Sequence, residues 1–227
     1  MTYEEMKRIL LYCQILGFEG LNNGHHAIIP ELRINLPERH TFLGVNSNPA
    51  IFVTEVTYKK LKKFHEDWIP NITIAIDHTY LLEPKKNNID IIGVLVHEAG
   101  HAFNVYAKIP NTEANAYIFE IEALFKLYKM GILSRQFGID AKDMITYFQS
   151  RMSQYKIVDN NLYLKFLIDD ITDIFRLEKK SHDLTKTDRI KSFVNAQIKI
   201  GFFNQGQTIK VNFEEENPLK RLFIRVA

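Results

Sequence analysis

Residues 91 to 96, IIGVLV, run apolar directly into His97-Glu98-Ala99-Gly100-His101. Periodicity over 89–107 predicts a buried helix. This helix constrains the rest of the fold, because two imidazoles and a carboxylate entering a core are costly unless other segments give them partners. On a helix, positions four apart share a face about one turn along. His97 and His101 can therefore aim both rings at one ion, which suits the nitrogen ligands of zinc. Glu98 is rotated by about 100° from His97 and projects beside such an ion rather than onto it. That is where a general base for a metal-activated water belongs. Gly93 and Gly100 fall within about 60° of His97, where a missing Cβ lets another backbone approach the same face.

The segment that follows supplies acids for a third ligand. The first helix is expected to end near Ala107, with Lys108 to Asn111 as the turn and Thr112 as the N-cap of a second helix over 112–130. For antiparallel neighbours, the residue level with His101 lies about six to eight positions into that second helix, which selects Phe119 or Glu120. On the helical wheel Glu120 sits in a mostly apolar face with Ala116, Ala123, Leu124 and Leu127. Glu122 falls on the opposite side beside Lys126 and is expected at the surface, paired with it. Glu113 faces inward but stands next to the turn, where an acid suits the helix dipole. Tyr117 flanks Glu120 and is a candidate donor to a developing oxyanion. Tyr155 and His182 are later candidates for that role. Asn104 lies about 20° from His97 on the wheel and is a candidate support for a ligand.

A glutamate on the helix after HEAGH resembles the gluzincin branch of the zincin metallopeptidases, over residues 89 to 127. The resemblance implies one zinc per chain held by His97, His101 and Glu120, with Glu98 as general base. It also implies an edge strand that binds extended substrate, for which NITIAID, 71–77, is the natural candidate. Leu124 stands where thermolysin-like enzymes carry an Asp behind the first His. Glu113-Ala114-Asn115 is also similar to bacterial peptidases with HExxH followed by a Glu-Ala-Asn helix. On that alignment Glu113 is the ligand.

Along the chain, helical periodicity is expected over 2–17, 57–68, 89–107, 112–130, 140–154, 160–179 and 186–200. Short strands are expected within AIIPELRINLP, PAIFVTEVT, NITIAID and QTIKVNF, the last at 207–213. Strands gathered in the first third with helices after them indicate an α+β fold. The zincin-like expectation is one metallopeptidase domain over 1–227, with a small β-containing lobe, 1–88, and a mainly helical lobe, 89–227, that carries the HExxH helix. His25, His26, His40, His65 and His78 lack metal-ligand spacing and are expected at surfaces or turns. Asp159, Asp169, Asp170 and Asp173 lack the spacing of a calcium loop and read as a solvated face.

The 227 residues are 46% hydrophobic with a net charge of +2. A sizeable core is possible, and the balance argues against a nucleic-acid partner. The single cysteine, Cys13, excludes an internal disulfide and reads as a buried, inert thiol. MTYEEMKRIL does not read as a Sec signal, and no stretch approaches the ~20 apolar residues of a membrane span. The expectation is therefore a cytoplasmic chain, or one exported without a cleaved signal. Glu214-Glu215-Glu216 leave open a bacterial exported effector acting on a host protein. The sequence supports a zinc-dependent endopeptidase with a protein or peptide substrate. A zinc-containing regulatory or binding module without turnover is the alternative, and a metal-free helical interaction protein is a third. Oligomeric state is left open.

Overall fold

Thr2 opens helix α1 (Tyr3–Glu19) with a reciprocal cap: its hydroxyl accepts from the Glu5 amide at 3.2 Å, and its own amide donates to the Glu5 carboxylate at 2.6 Å. Met6, Ile9, Leu10, Cys13 and Leu16 form its buried stripe. Cys13 is fully buried, and burial pushes its thiol up to about 12, so the inert reading holds. This computed structural model describes residues 1–38, 48–82, 87–158 and 160–177. The expected helix 186–200, the strand 207–213, His40, Asp159, His182 and Glu214 to Glu216 lie outside the described residues.

After α1 come β1 (Arg33–Asn35), β2 (Ala50–Phe52), α2 (Glu55–Leu61), β3 (Thr73–Ile76) and α3 (His78–Leu82). The strands make one sheet in the order β1-β3-β2, with β1 parallel and β2 antiparallel to β3. NITIAID is thus the middle strand, and the expectation of a free edge there is corrected. Its four sheet residues are all buried, as suits a strand paired on both sides and covered. The edge beside the HEAGH helix is β2. Its Pro49 carbonyl and Val53 amide bond to Asp77 and Thr73, so by antiparallel alternation Phe52 turns its amide away from β3.

The helices that follow are α4 (Asn88–Tyr106), α5 (Glu113–Lys129), α6 (Ile132–Phe137), α7 (Ala141–Ile157) and α8 (Leu162–Ile174). The architecture is α+β: eight helices and a three-stranded sheet among the described residues. One core cluster runs from Met6 through the sheet and α4 to Leu177, so α1 and the sheet share a core with the helices that carry HEAGH. Helix α4 is central to it, packing against α1, β2, α5 and α7. Gly100 makes the α4–α5 approach possible, since a Cβ there would meet the Ala116 carbonyl at 3.0 Å and Phe119 Cβ at 3.1 Å. His65 departs from the expected surface position: it is buried and stacked on Trp68 at 3.8 Å. No helix among the described residues is long and apolar enough to cross a membrane.

Candidate metal centre

His97 and His101 lie one turn apart on α4, their side chains 12% and 14% exposed. Their rings are 5.0 Å apart and nearly perpendicular. The acid that meets both Nε2 atoms is Glu113, in the first turn of α5: its oxygens lie 3.2 Å from His97 Nε2 and 3.6 Å from His101 Nε2. Among the described residues, His97, His101 and Glu113 form a group of three with ligand atoms within 4.8 Å of one another. Each N···O separation, one to each Glu113 oxygen, is close to the ~3.4 Å edge of a tetrahedron with metal–ligand distances near 2.1 Å. Two imidazoles and a carboxylate are also the donor chemistry that zinc takes.

Glu120, the expected third ligand, is placed elsewhere around His97. It is fully buried, and its Oε2 meets His97 at Nδ1, 2.9 Å away, on the far side of the ring from Glu113. Glu113 and Glu120 share a face of α5 two turns apart, about 10 Å along the axis, and the His97 ring lies between them. The connection between α4 and α5 explains why Glu113 reaches the site. Thr112 caps α5 through the Asn115 amide, as expected. The turn doubles back, however: the Ile109 amide bonds to the Asn104 carbonyl at 3.0 Å, and Asn111 Oδ1 sits 2.7 Å from His101 Nδ1. Helix α5 therefore starts beside the histidines rather than beyond them. A count from the turn could not separate two acids that flank one ring.

The acceptors behind each histidine fix its tautomer. A carboxylate behind His97 and an amide oxygen behind His101 each take an Nδ1–H, so in the neutral form of each ring it is Nε2, on the Glu113 side, that carries the lone pair. Asn104, expected near His97, instead backs His101 through Asn111, with its Nδ2 3.5 Å from the same oxygen. Glu113 is held well below the usual carboxylate range by its bonds to His101 and His97. Burial alone would lower His97, but Glu113 and Glu120 raise it to about 9. Burial alone would raise Glu120, yet Arg151 and His97 bring it down to about 2.

Glu98 is buried, and its Oε2 accepts the Phe52 amide of β2 at 2.6 Å. It lines an open cleft of about 690 Å³ with His97, Glu113, Tyr117, Tyr147 and Arg151. The Tyr117 ring is 4.8 Å from that of His97, so the structure brings it to the cleft. Tyr155 is buried and donates its hydroxyl to Glu120 at 2.6 Å, which removes it as an oxyanion donor. Glu122 is not the expected surface partner of Lys126: it accepts the Asn22 amide at 2.6 Å and the Tyr163 hydroxyl, while Lys126 donates to the Gly20 carbonyl at 3.1 Å.

Sequence reasoning missed Tyr147, Arg151 and Asn111. The signal for the first two was present: Tyr147, Arg151 and Tyr155 recur every fourth residue, a polar stripe on α7 that can meet a buried acid. Asn111 lies in a turn, where no periodicity marks it. No protein-family model, no curated protein and no solved structure matches this chain.

Proposed function

We propose that the chain is a zinc-dependent, zincin-like metallopeptidase that hydrolyses peptide bonds in a protein or peptide substrate. One zinc would be held by His97, His101 and Glu113. The observation that carries the reading is Glu113, whose two oxygens face the Nε2 atoms of both HEAGH histidines at 3.2 and 3.6 Å. Bound there, zinc would supply Lewis-acid polarisation of a carbonyl and would acidify water.

The chain's own residues supply the proton transfers. Glu98 borders the same cleft as His97 and Glu113, and its carboxylate accepts the proton of the attacking water and returns it to the leaving amine. The β2 edge lies beside this region, and an extended peptide would join the sheet there; the Phe52 amide itself is taken by Glu98. Tyr117, beside His97, is the candidate hydrogen-bond donor to the oxyanion.

A zinc-containing binding or regulatory module without turnover is the second reading. The Phe52–Glu98 bond favours it, since it ties the carboxylate to a structural amide. Elemental analysis of metal-replete protein and peptide cleavage by wild type against Glu98→Gln separate the readings. Near one equivalent of zinc with cleavage lost in Glu98→Gln supports the peptidase. Zinc without cleavage in wild type supports the module, and well under half an equivalent overturns both.

A further inference from the structure

Glu120 is outside the proposed ligand set, yet it is an acid with no exposed surface in an otherwise apolar face of α5. Five donors converge on it. His97 Nδ1 and Arg151 Nη2 each lie 2.9 Å from Oε2, while Arg151 Nε at 3.2 Å, the Tyr147 hydroxyl at 2.7 Å and the Tyr155 hydroxyl at 2.6 Å meet Oε1. A carboxylate offers about four lone-pair sites, so this one is saturated. All its partners except His97 come from α7. Arg151 engages both oxygens, and a guanidinium fork on a carboxylate fixes its plane as well as its charge. Helix α4 makes room for the arrangement: a Cβ on Gly93 would stand 2.0 Å from the Tyr147 hydroxyl.

The two histidines are held differently. His97 rests on this buried, charged cluster, while His101 rests on the neutral amide of Asn111 in an exposed turn. A fixed carboxylate plane dictates where the His97 ring points and which nitrogen is free. We infer that Glu120 is the positioning residue of the metal centre and that Arg151, with Tyr147 and Tyr155, clamps it, so that α7 sets how tightly His97 holds zinc. The inference rests on the zinc reading above. It assigns Glu120 and α7 an action through His97 rather than a contact with the ion.

The test uses the full chain and zinc alone, with affinity read by competition against a chromogenic chelator. Each variant is first shown to be folded by circular dichroism at the assay temperature. Glu120→Gln is expected to weaken zinc binding by about 10- to 100-fold, the usual effect of removing a partner behind a ligand. Arg151→Lys, which keeps the charge and loses the fork, and Tyr155→Phe are expected to weaken it in the same direction by less. Nitrogen-15 shifts of the His97 ring in the zinc-loaded protein are expected to report one tautomer in wild type and ring heterogeneity in Arg151→Lys. If Glu120→Gln does not fold, Arg151→Lys and Tyr155→Phe carry the same decision. Folded variants with wild-type affinity and an unchanged His97 tautomer overturn this inference alone. Zinc lost in Glu120→Gln but kept in Glu113→Ala would make Glu120 a ligand and also overturn it. A wild type that takes up no zinc overturns the zinc reading, and this inference with it.

Discussion

The Phe52 amide donates to the Glu98 carboxylate at 2.6 Å, so the edge strand β2 and the candidate base on α4 are joined by one hydrogen bond. The bond lets two functions of Glu98 be separated by substitution. Glutamine keeps an oxygen for the Phe52 amide but cannot accept a proton at the pH of the reaction. Glu98→Gln should therefore fold and bind zinc like wild type while losing about 10²- to 10⁴-fold in peptide cleavage, the usual worth of a general base. Glu98→Ala should in addition lose about 1–3 kcal/mol of stability, because the Phe52 amide is left unsatisfied. Urea unfolding, elemental analysis and a peptide assay on both variants check this. Retained cleavage in Glu98→Gln would remove Glu98 from the mechanism.

Glu113 and Glu122 should behave oppositely when replaced by alanine. Glu113 is half-exposed and meets both Nε2 atoms. Its loss should abolish tight zinc binding, since two imidazoles leave the coordination shell incomplete. Glu122 has no contact with the histidines but accepts the Asn22 amide, whose residue is buried. Its loss should cost about 1–3 kcal/mol and leave zinc affinity unchanged. Chelator competition and urea unfolding on the pair decide the matter. Zinc retained by Glu113→Ala would sink the proposed ligand set.

The α4–α5 hairpin was legible in the sequence because apolar periodicity, Pro110 and Thr112 mark its helices and its turn independently of context. His97, Glu98 and His101 were legible because their spacing is local to one helix. Which of Glu113 and Glu120 faces Nε2 of His97 and which faces Nδ1 was not. Both lie on the inward face of α5, and the choice depends on how Asn111 folds back onto His101, which is a tertiary contact. Glu122 misled for a related reason. Its wheel position predicts solvent, but the loop after α1 and Tyr163 of α8 cover it. The strand order was hidden as well. NITIAID has the strongest strand pattern of the first third because it is the buried middle strand, and that same burial disqualifies it as an edge.

Gly93 gives a test of how α4 and α7 are fitted together. A Cβ there would stand 2.0 Å from the Tyr147 hydroxyl, 2.2 Å from Cζ and 2.4 Å from Cε2. The ring is buried and tied to Glu120, so it cannot swing aside without breaking that bond. Alanine usually stabilises a helix interior over glycine by roughly 0.5–1 kcal/mol. Overpacking a core costs about 1–3 kcal/mol, and the broken hydrogen bond adds to it. Gly93→Ala should therefore be destabilised on balance, by about 1 kcal/mol or more. Urea unfolding reads this directly. A variant as stable as wild type would mean that Tyr147 does not pass α4 at this point.

The pH dependence of stability should carry a contribution from Glu122. Burial raises its carboxyl above the ordinary 4.5, against the opposing pull of the Tyr163 hydroxyl, the Asn22 amide and Lys126. The folded chain thus holds this proton more tightly than the unfolded chain does. Between the unfolded value and the raised folded value, the native state binds more protons, so this contribution falls as pH rises through the window and is constant above it. Glutamine has no such proton, keeps an oxygen for the Asn22 amide, and can donate to the Tyr163 oxygen. The stability of Glu122→Gln relative to wild type should therefore improve as pH rises above about 4.5 and then level off. Urea unfolding of both proteins from about pH 4 to about pH 8 measures the difference directly. If wild type instead gains on the variant as pH rises, Glu122 is held as a stabilised anion, and the covered environment formed by Asn22 and Tyr163 does not act as argued.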